Sequence, residues 1–245
     1  MVVAVKRNVA GLVIVFVGAA TVQLAVSNTY LRYVKPGMRW MLLAAGLILI
    51  ALAVADVLMD TRKKNPEEEG HDHSGDDGHG HNGLPKAAWL LLIPIFALLV
   101  VDPPALGASA AARQSPVASK PIQPKSNSWL ADNPQGGPVN LAVRDYAVWA
   151  VWEKESMKGR SFSLTGFVTP AKNGNWYVTR MGLTCCVADA TAFMVEARGQ
   201  AAPPRNQWVT VTGEWAEPSK REDGDVAALT IDSVKTVTAP NNPYE

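Results

Sequence analysis

Two stretches of this chain carry side chains whose types and spacing could do chemistry. The first is Leu183-Thr184-Cys185-Cys186-Val187-Ala188-Asp189, which holds the only two cysteines of the protein, side by side, with a carboxylate three positions after the second. Two thiolates and a carboxylate are a donor set for zinc or copper. In an extended strand neighbouring side chains point to opposite faces, so placing both sulfurs on one ion asks for a bulge or turn after Leu183. Two other readings stay open. Adjacent cysteines can close a strained and therefore labile vicinal disulfide, or one of them packs inward as a small hydrophobe. The C-terminal domain holds no histidine that could serve Cys186 as a general base, which argues against a Cys-His hydrolase.

The second stretch is His71-Asp72-His73-Ser74-Gly75-Asp76-Asp77-Gly78-His79-Gly80-His81, which contains all four histidines of the protein. Imidazole suits zinc, copper, nickel and cobalt in its neutral form, which dominates near pH 7. Two His-x-His pairs on a flexible strand could close around one ion, with Asp72, Asp76 and Asp77 filling gaps. Ordering such a loop costs roughly 1 to 2 kcal/mol per residue fixed, so moderate affinity is expected, suited to capture or buffering. Zinc or another transition metal is the implied cofactor.

The elements that must position these groups follow from composition. Apolar residues are 48% of 245 and charged ones 18%, and the apolar excess lies before residue 110. Residues 9–27 and 41–59 are uncharged or nearly so over the length of a hydrocarbon core, joined by a short turn with Tyr30, Tyr33, Pro36-Gly37 and Trp40. Residues 87–105 form a third apolar run, short for a span and interrupted by Pro94, and the Ala-Leu-Gly-Ala-Ser-Ala after it resembles a signal-peptidase site. Three spans within residues 1–106 are expected, with a His- and Asp-rich loop over 65–83. Lys6, Arg7, Arg62, Lys63, Lys64 and Lys86 on one side against Arg32, Lys35, Arg39, Arg113 and Lys120 on the other give, by one residue, a cytoplasmic N-terminus and a C-terminal domain outside the cytoplasm of a multi-pass cell-membrane protein.

Residues 107–140, rich in Ala, Ser, Pro, Gln and Asn, read as a linker. From residue 141 to about 240 the pattern changes. A short amphipathic helix carrying Tyr146, Trp149 and Trp152 precedes five β-type runs at 161–170, 175–183, 192–197, 208–217 and 226–237, separated by turn signals. The expected fold is therefore a membrane α-helical part joined to a small all-β domain, an OB-like five-stranded barrel with a short preceding helix. A net charge of +1 supplies no basic groove, which excludes nucleic acid as a partner.

Tyr-Val-Lys-Pro-Gly-Met over 33–38, Ser-Leu-Thr-Gly-Phe-Val over 163–168, Cys-Cys-Val-Ala-Asp over 185–189 and Trp-Val-Thr-Val-Thr-Gly over 208–213 together resemble the YcgQ family of bacterial membrane proteins. Those proteins are described as subunits of a two-component permease, so the resemblance implies a multi-span permease as partner, beside membrane lipid. An accessory membrane subunit in metal or metalloid handling, without enzymatic activity, is the expectation. The alternative is a membrane-anchored thiol-disulfide protein acting outside the cytoplasm.

Overall fold

In the computed structural model the described residues are 2–62, 93, 97, 104–118, 137–171 and 174–245. The chain divides into two units, one made of residues 1–30 with 37–103, the other of residues 31–36 with 104–245.

The first unit contains two long helices, α1 (Val2–Val26) and α2 (Arg39–Arg62). They pack antiparallel through small residues: Gly18 and Gly46 face each other so closely that a Cβ on either would lie 2.9 Å from the other's carbonyl oxygen, with Ala20 and Ala53 buried alongside. Small residues let the two helix backbones approach this closely. The expectation of three spans is corrected here. Among the described residues one stretch, Pro36–Asp56, is long and apolar enough to cross a membrane, and the apolar helical stretch Val13–Val26 is shorter than the roughly 20 residues a hydrocarbon core requires. The run 87–105 falls outside the described residues apart from 93, 97, 104 and 105. Among the described residues there are thus one or two apolar helices and no three-span bundle.

The second unit is a five-stranded barrel. Its strands are β2 (Ser161–Pro170), β3 (Trp176–Gly182), β4 (Thr191–Arg198), β5 (Trp208–Arg221) and β6 (Gly224–Thr236). The order is β2-β3-β4-β6-β5, and β5 returns to pair antiparallel with β2 from Ser161↔Glu214 to Phe167↔Trp208, which closes the sheet. Closure removes the free edges that an open sheet of this size would expose. The pairing β4–β6 is parallel and the other barrel pairings are antiparallel. A three-residue strand, β1 (Val139–Leu141), adds in parallel outside β2.

Alternation of apolar and polar residues sets which side of each strand is buried. Along β2, Phe162, Leu164 and Val168 turn into the barrel core, while Phe167 is buried on the opposite face. One end of the core is covered by α4 (Val143–Trp152) and the single turn α5 (Lys154–Met157). Tyr146 meets Phe162 edge-on with ring centroids 5.1 Å apart, and its buried hydroxyl donates to the Ala228 carbonyl at 2.8 Å. Residues 104–118 lie against the barrel: the short helix α3 (Ala108–Ala111) buries Ala108 and Ala111 among Phe167, Tyr177, Met181 and Met194.

Candidate functional site

The cysteines sit in the connection between β3 and β4, after the buried Leu183. Cys186 is extended, with φ −150° and ψ 173°, and caps a single 3-10 turn over Val187–Asp189. This is the break from regular strand geometry that lets both sulfurs approach one point. Asp189, at the third position of that turn, reaches back over the loop. Its Oδ1 accepts the Thr184 N–H at 2.7 Å. Its Oδ2 accepts the N–H groups of Cys185 at 2.8 Å and Cys186 at 3.2 Å, and the Cys185 thiol at 2.9 Å. In return the Asp189 N–H points at the Cys186 sulfur, completing a reciprocal cap in which one carboxylate and one short side chain satisfy donors that a turn leaves open.

The two sulfurs and one carboxylate oxygen lie within 4.8 Å of one another. Cys185 is exposed, Cys186 half-buried, and both are free thiols. Asp189 is held well below the usual carboxylate range, chiefly by the Cys185 thiol and then by the N–H groups of Thr184 and Cys185. The same hydrogen bond works the other way on its donor. With Cys186 and the negative charge of Asp189 adding to it, the bond pushes the Cys185 thiol up to about 11, so roughly one part in ten thousand is thiolate at pH 7. A cation that binds sulfur must therefore displace a proton.

Distant segments hold this loop. On one side the connector between the helices pairs with it as a short antiparallel bridge, Val34 opposite Cys186, with Lys35 N–H donating to the Cys185 carbonyl at 3.0 Å and Val187 N–H to the Tyr33 carbonyl at 2.8 Å. On the other, the Gln114 amide donates to the Ala190 carbonyl at 2.9 Å and accepts the Ala192 N–H at 2.7 Å. Before the loop, Glu245 N–H donates to Met181 O at 2.9 Å and Leu183 N–H to the main-chain oxygen of Glu245 at 3.2 Å. The Tyr244 hydroxyl links Arg32 O at 2.9 Å and Leu106 N–H at 3.0 Å. The backbone around the cysteines is thus fixed by other parts of the chain while their sulfurs stay accessible.

The structure brings Cys185, Cys186 and Asp189 together. His71, His73, His79, His81, Asp72, Asp76 and Asp77 lie outside the described residues. Tyr33, Lys35, Gln114, Tyr244 and Glu245 escape a reading of the sequence because each acts across a long chain separation, with no local periodicity to announce it.

No curated protein matches the chain. Residues 9–115 match the DUF1980 N-terminal domain and residues 139–245 the DUF1980 C-terminal domain. The cysteine loop falls in the second region, while Tyr33, Lys35 and Gln114, which hold it, fall in the first. The chain is built from both domains of the DUF1980 family.

Proposed function

We propose that this chain is a membrane-attached accessory subunit that captures a metal or metalloid ion at Cys185 and Cys186 and exchanges it with a multi-span permease. The observation that carries the reading is the cluster itself: two sulfurs and a carboxylate oxygen within 4.8 Å on a loop fixed by hydrogen bonds from distant segments. Attachment to lipid is supported by α2, which leaves Trp40, Met41, Leu47, Ile48, Leu52 and Leu58 exposed, more apolar surface than one helix of a water-soluble protein presents. The permease is the partner implied by the resemblance to the YcgQ family, and the histidine-rich loop would raise the local ion concentration. The thiol-disulfide alternative would have to use Cys186 as the attacking thiol. An attacking thiol works best with a pKa near ambient pH, and Cys185 is moved away from it.

The test is purification of the full chain from membranes in detergent, with metal analysis and identification of co-purifying proteins, beside the Cys185→Ala/Cys186→Ala double variant. Cysteine-dependent ion content and a multi-span partner are expected. A chain recovered without either, or from the aqueous phase, removes the reading.

A further inference from the structure

We infer that the cysteine loop is a two-sulfur site for a monovalent soft cation of the copper(I) or silver(I) class, in which Asp189 organises the loop without being a ligand. The inference rests on the ion-capture reading above and narrows it to a cation class and a coordination number.

Sulfur selects soft ions, and a structural zinc site asks for four donors. Among the described residues the cluster that could hold an ion consists of Cys185, Cys186 and Asp189. The carboxylate oxygen beside the sulfur is already committed. Oδ2 accepts two backbone N–H groups, from Cys185 and Cys186, besides the Cys185 thiol. When an ion displaces the thiol proton those two N–H groups remain, filling both in-plane lone-pair directions of that oxygen. Oδ1 is fixed on the Thr184 N–H. The charge of Asp189 is thereby spent on the three amides that shape the loop, leaving two sulfurs for the cation.

The spacing agrees. The sulfurs lie within 4.8 Å of each other, close to or inside the span of up to about 4.6 Å that two metal–sulfur bonds of about 2.3 Å reach, so one ion can bridge both once the loop adjusts. Binding breaks two S–H bonds, forms two metal–sulfur bonds and releases two protons to solvent, with no change of oxidation state. An ion held by two ligands at an exposed loop is open to attack by a third, which is the route by which it would pass to a partner.

The experiment uses the full chain in detergent carrying His71→Ala, His73→Ala, His79→Ala and His81→Ala, so that the loop cannot compete. Copper(I), kept reduced with ascorbate, is titrated against a chromogenic copper(I) chelator, zinc(II) is titrated in parallel, and X-ray absorption counts the scatterers around bound copper. One copper(I) per chain with two sulfur scatterers is expected. Cys185→Ser and Cys186→Ser should each weaken binding by about 100-fold or more, since a lone thiolate remains. Asp189→Asn should weaken it about 10- to 100-fold, as loss of an outer partner does, with the two-sulfur signature unchanged. An additional oxygen scatterer that disappears in Asp189→Asn, or zinc held more tightly than copper(I), overturns the two-sulfur inference and leaves ion capture standing. Absence of any cysteine-dependent binding of either ion overturns both.

Discussion

Asp189 illustrates how one side chain can set a loop's shape and its chemistry together. Its carboxylate gathers the amides of Thr184, Cys185 and Cys186 and the Cys185 thiol, so the group that orders the backbone also keeps a nearby thiol protonated. Replacing Asp189 by Asn removes the negative charge and the strongest acceptor, which lowers the Cys185 thiol from about 11 toward its ordinary value. Alkylation of Cys185 at pH 8, followed by mass spectrometry that resolves it from Cys186, should accelerate on the order of tenfold in Asp189→Asn, the gain in thiolate being partly offset by lower nucleophilicity. An unchanged rate would remove the carboxylate from the account of that thiol. The pH dependence has a definite sign. A carboxyl whose folded pKa is depressed contributes stability above its unfolded pKa and loses it as pH falls through the folded value. The amides of Thr184, Cys185 and Cys186 should therefore stay protected from hydrogen exchange while the pH drops through the ordinary carboxylate range, and open only in stronger acid. Early opening, near pH 4, would contradict the hydrogen-bonded ionised form.

Among the elements, the strands were the part most legible in the sequence, because period-two alternation is local and the turn residues between runs are strong. The run 161–170 coincides with β2, and 175–183 brackets β3. The run 208–217 stops short of the end of β5. The strand continues to Arg221 through a register shift between Ala216 and Ser219, an irregularity of the kind that accommodates proline, and the turn is made at Glu222-Asp223 before Gly224, whose φ is +138°. Gly213 marks the second irregularity, where a Cβ would stand 2.0 Å from the Thr230 carbonyl oxygen. Backbone on both sides cannot yield, so Gly213→Ala should cost about 1 to 3 kcal/mol in urea unfolding, while a native-like value would mean that the two strands sit farther apart. Arg180 of β3 is tied in the same way to the segment after β6. Its guanidinium donates to the carbonyls of Asn242 and Tyr244 at 3.3 and 3.4 Å and lies 3.5 Å from the Glu245 carboxylate, which in turn accepts the N–H groups of Val143 and Arg144 at the start of α4. Burial raises Glu245 and lowers Arg180, so desolvation works against charge at both ends. Arg180→Met, leaving that carboxylate buried without its cation, should destabilise by about 3 kcal/mol, and adding Glu245→Gln should restore part of it. Additive losses would show that the pair is not coupled.

For the whole molecule, the sequence conveys the division into an apolar helical part and a β part, because composition changes abruptly, but it overcounts spans, because the run 87–105 is counted although it is short and broken by Pro94. The connector between α1 and α2 was legible only as a turn with aromatic residues. That its backbone pairs with the cysteine loop is a fact of tertiary structure with no trace in local pattern. What the helices do with their apolar surface is the property of the whole chain most open to a direct test. Leu47 and Leu52 are 59% and 62% exposed on α2, within the stretch Pro36–Asp56. If that surface faces lipid, lysine at both positions must be carried into hydrocarbon at about 2.5 to 3.5 kcal/mol each near the helix centre. Alkaline carbonate, which strips peripheral proteins, should leave the wild-type chain in the membrane pellet and release much of Leu47→Lys/Leu52→Lys, whereas Leu47→Ala/Leu52→Ala should stay behind. The alanine variant separates loss of side-chain bulk from insertion of charge. Wild-type chain washed off by carbonate would mean that the exposed face of α2 is covered by protein rather than lipid, and the membrane attachment proposed above would fall with it.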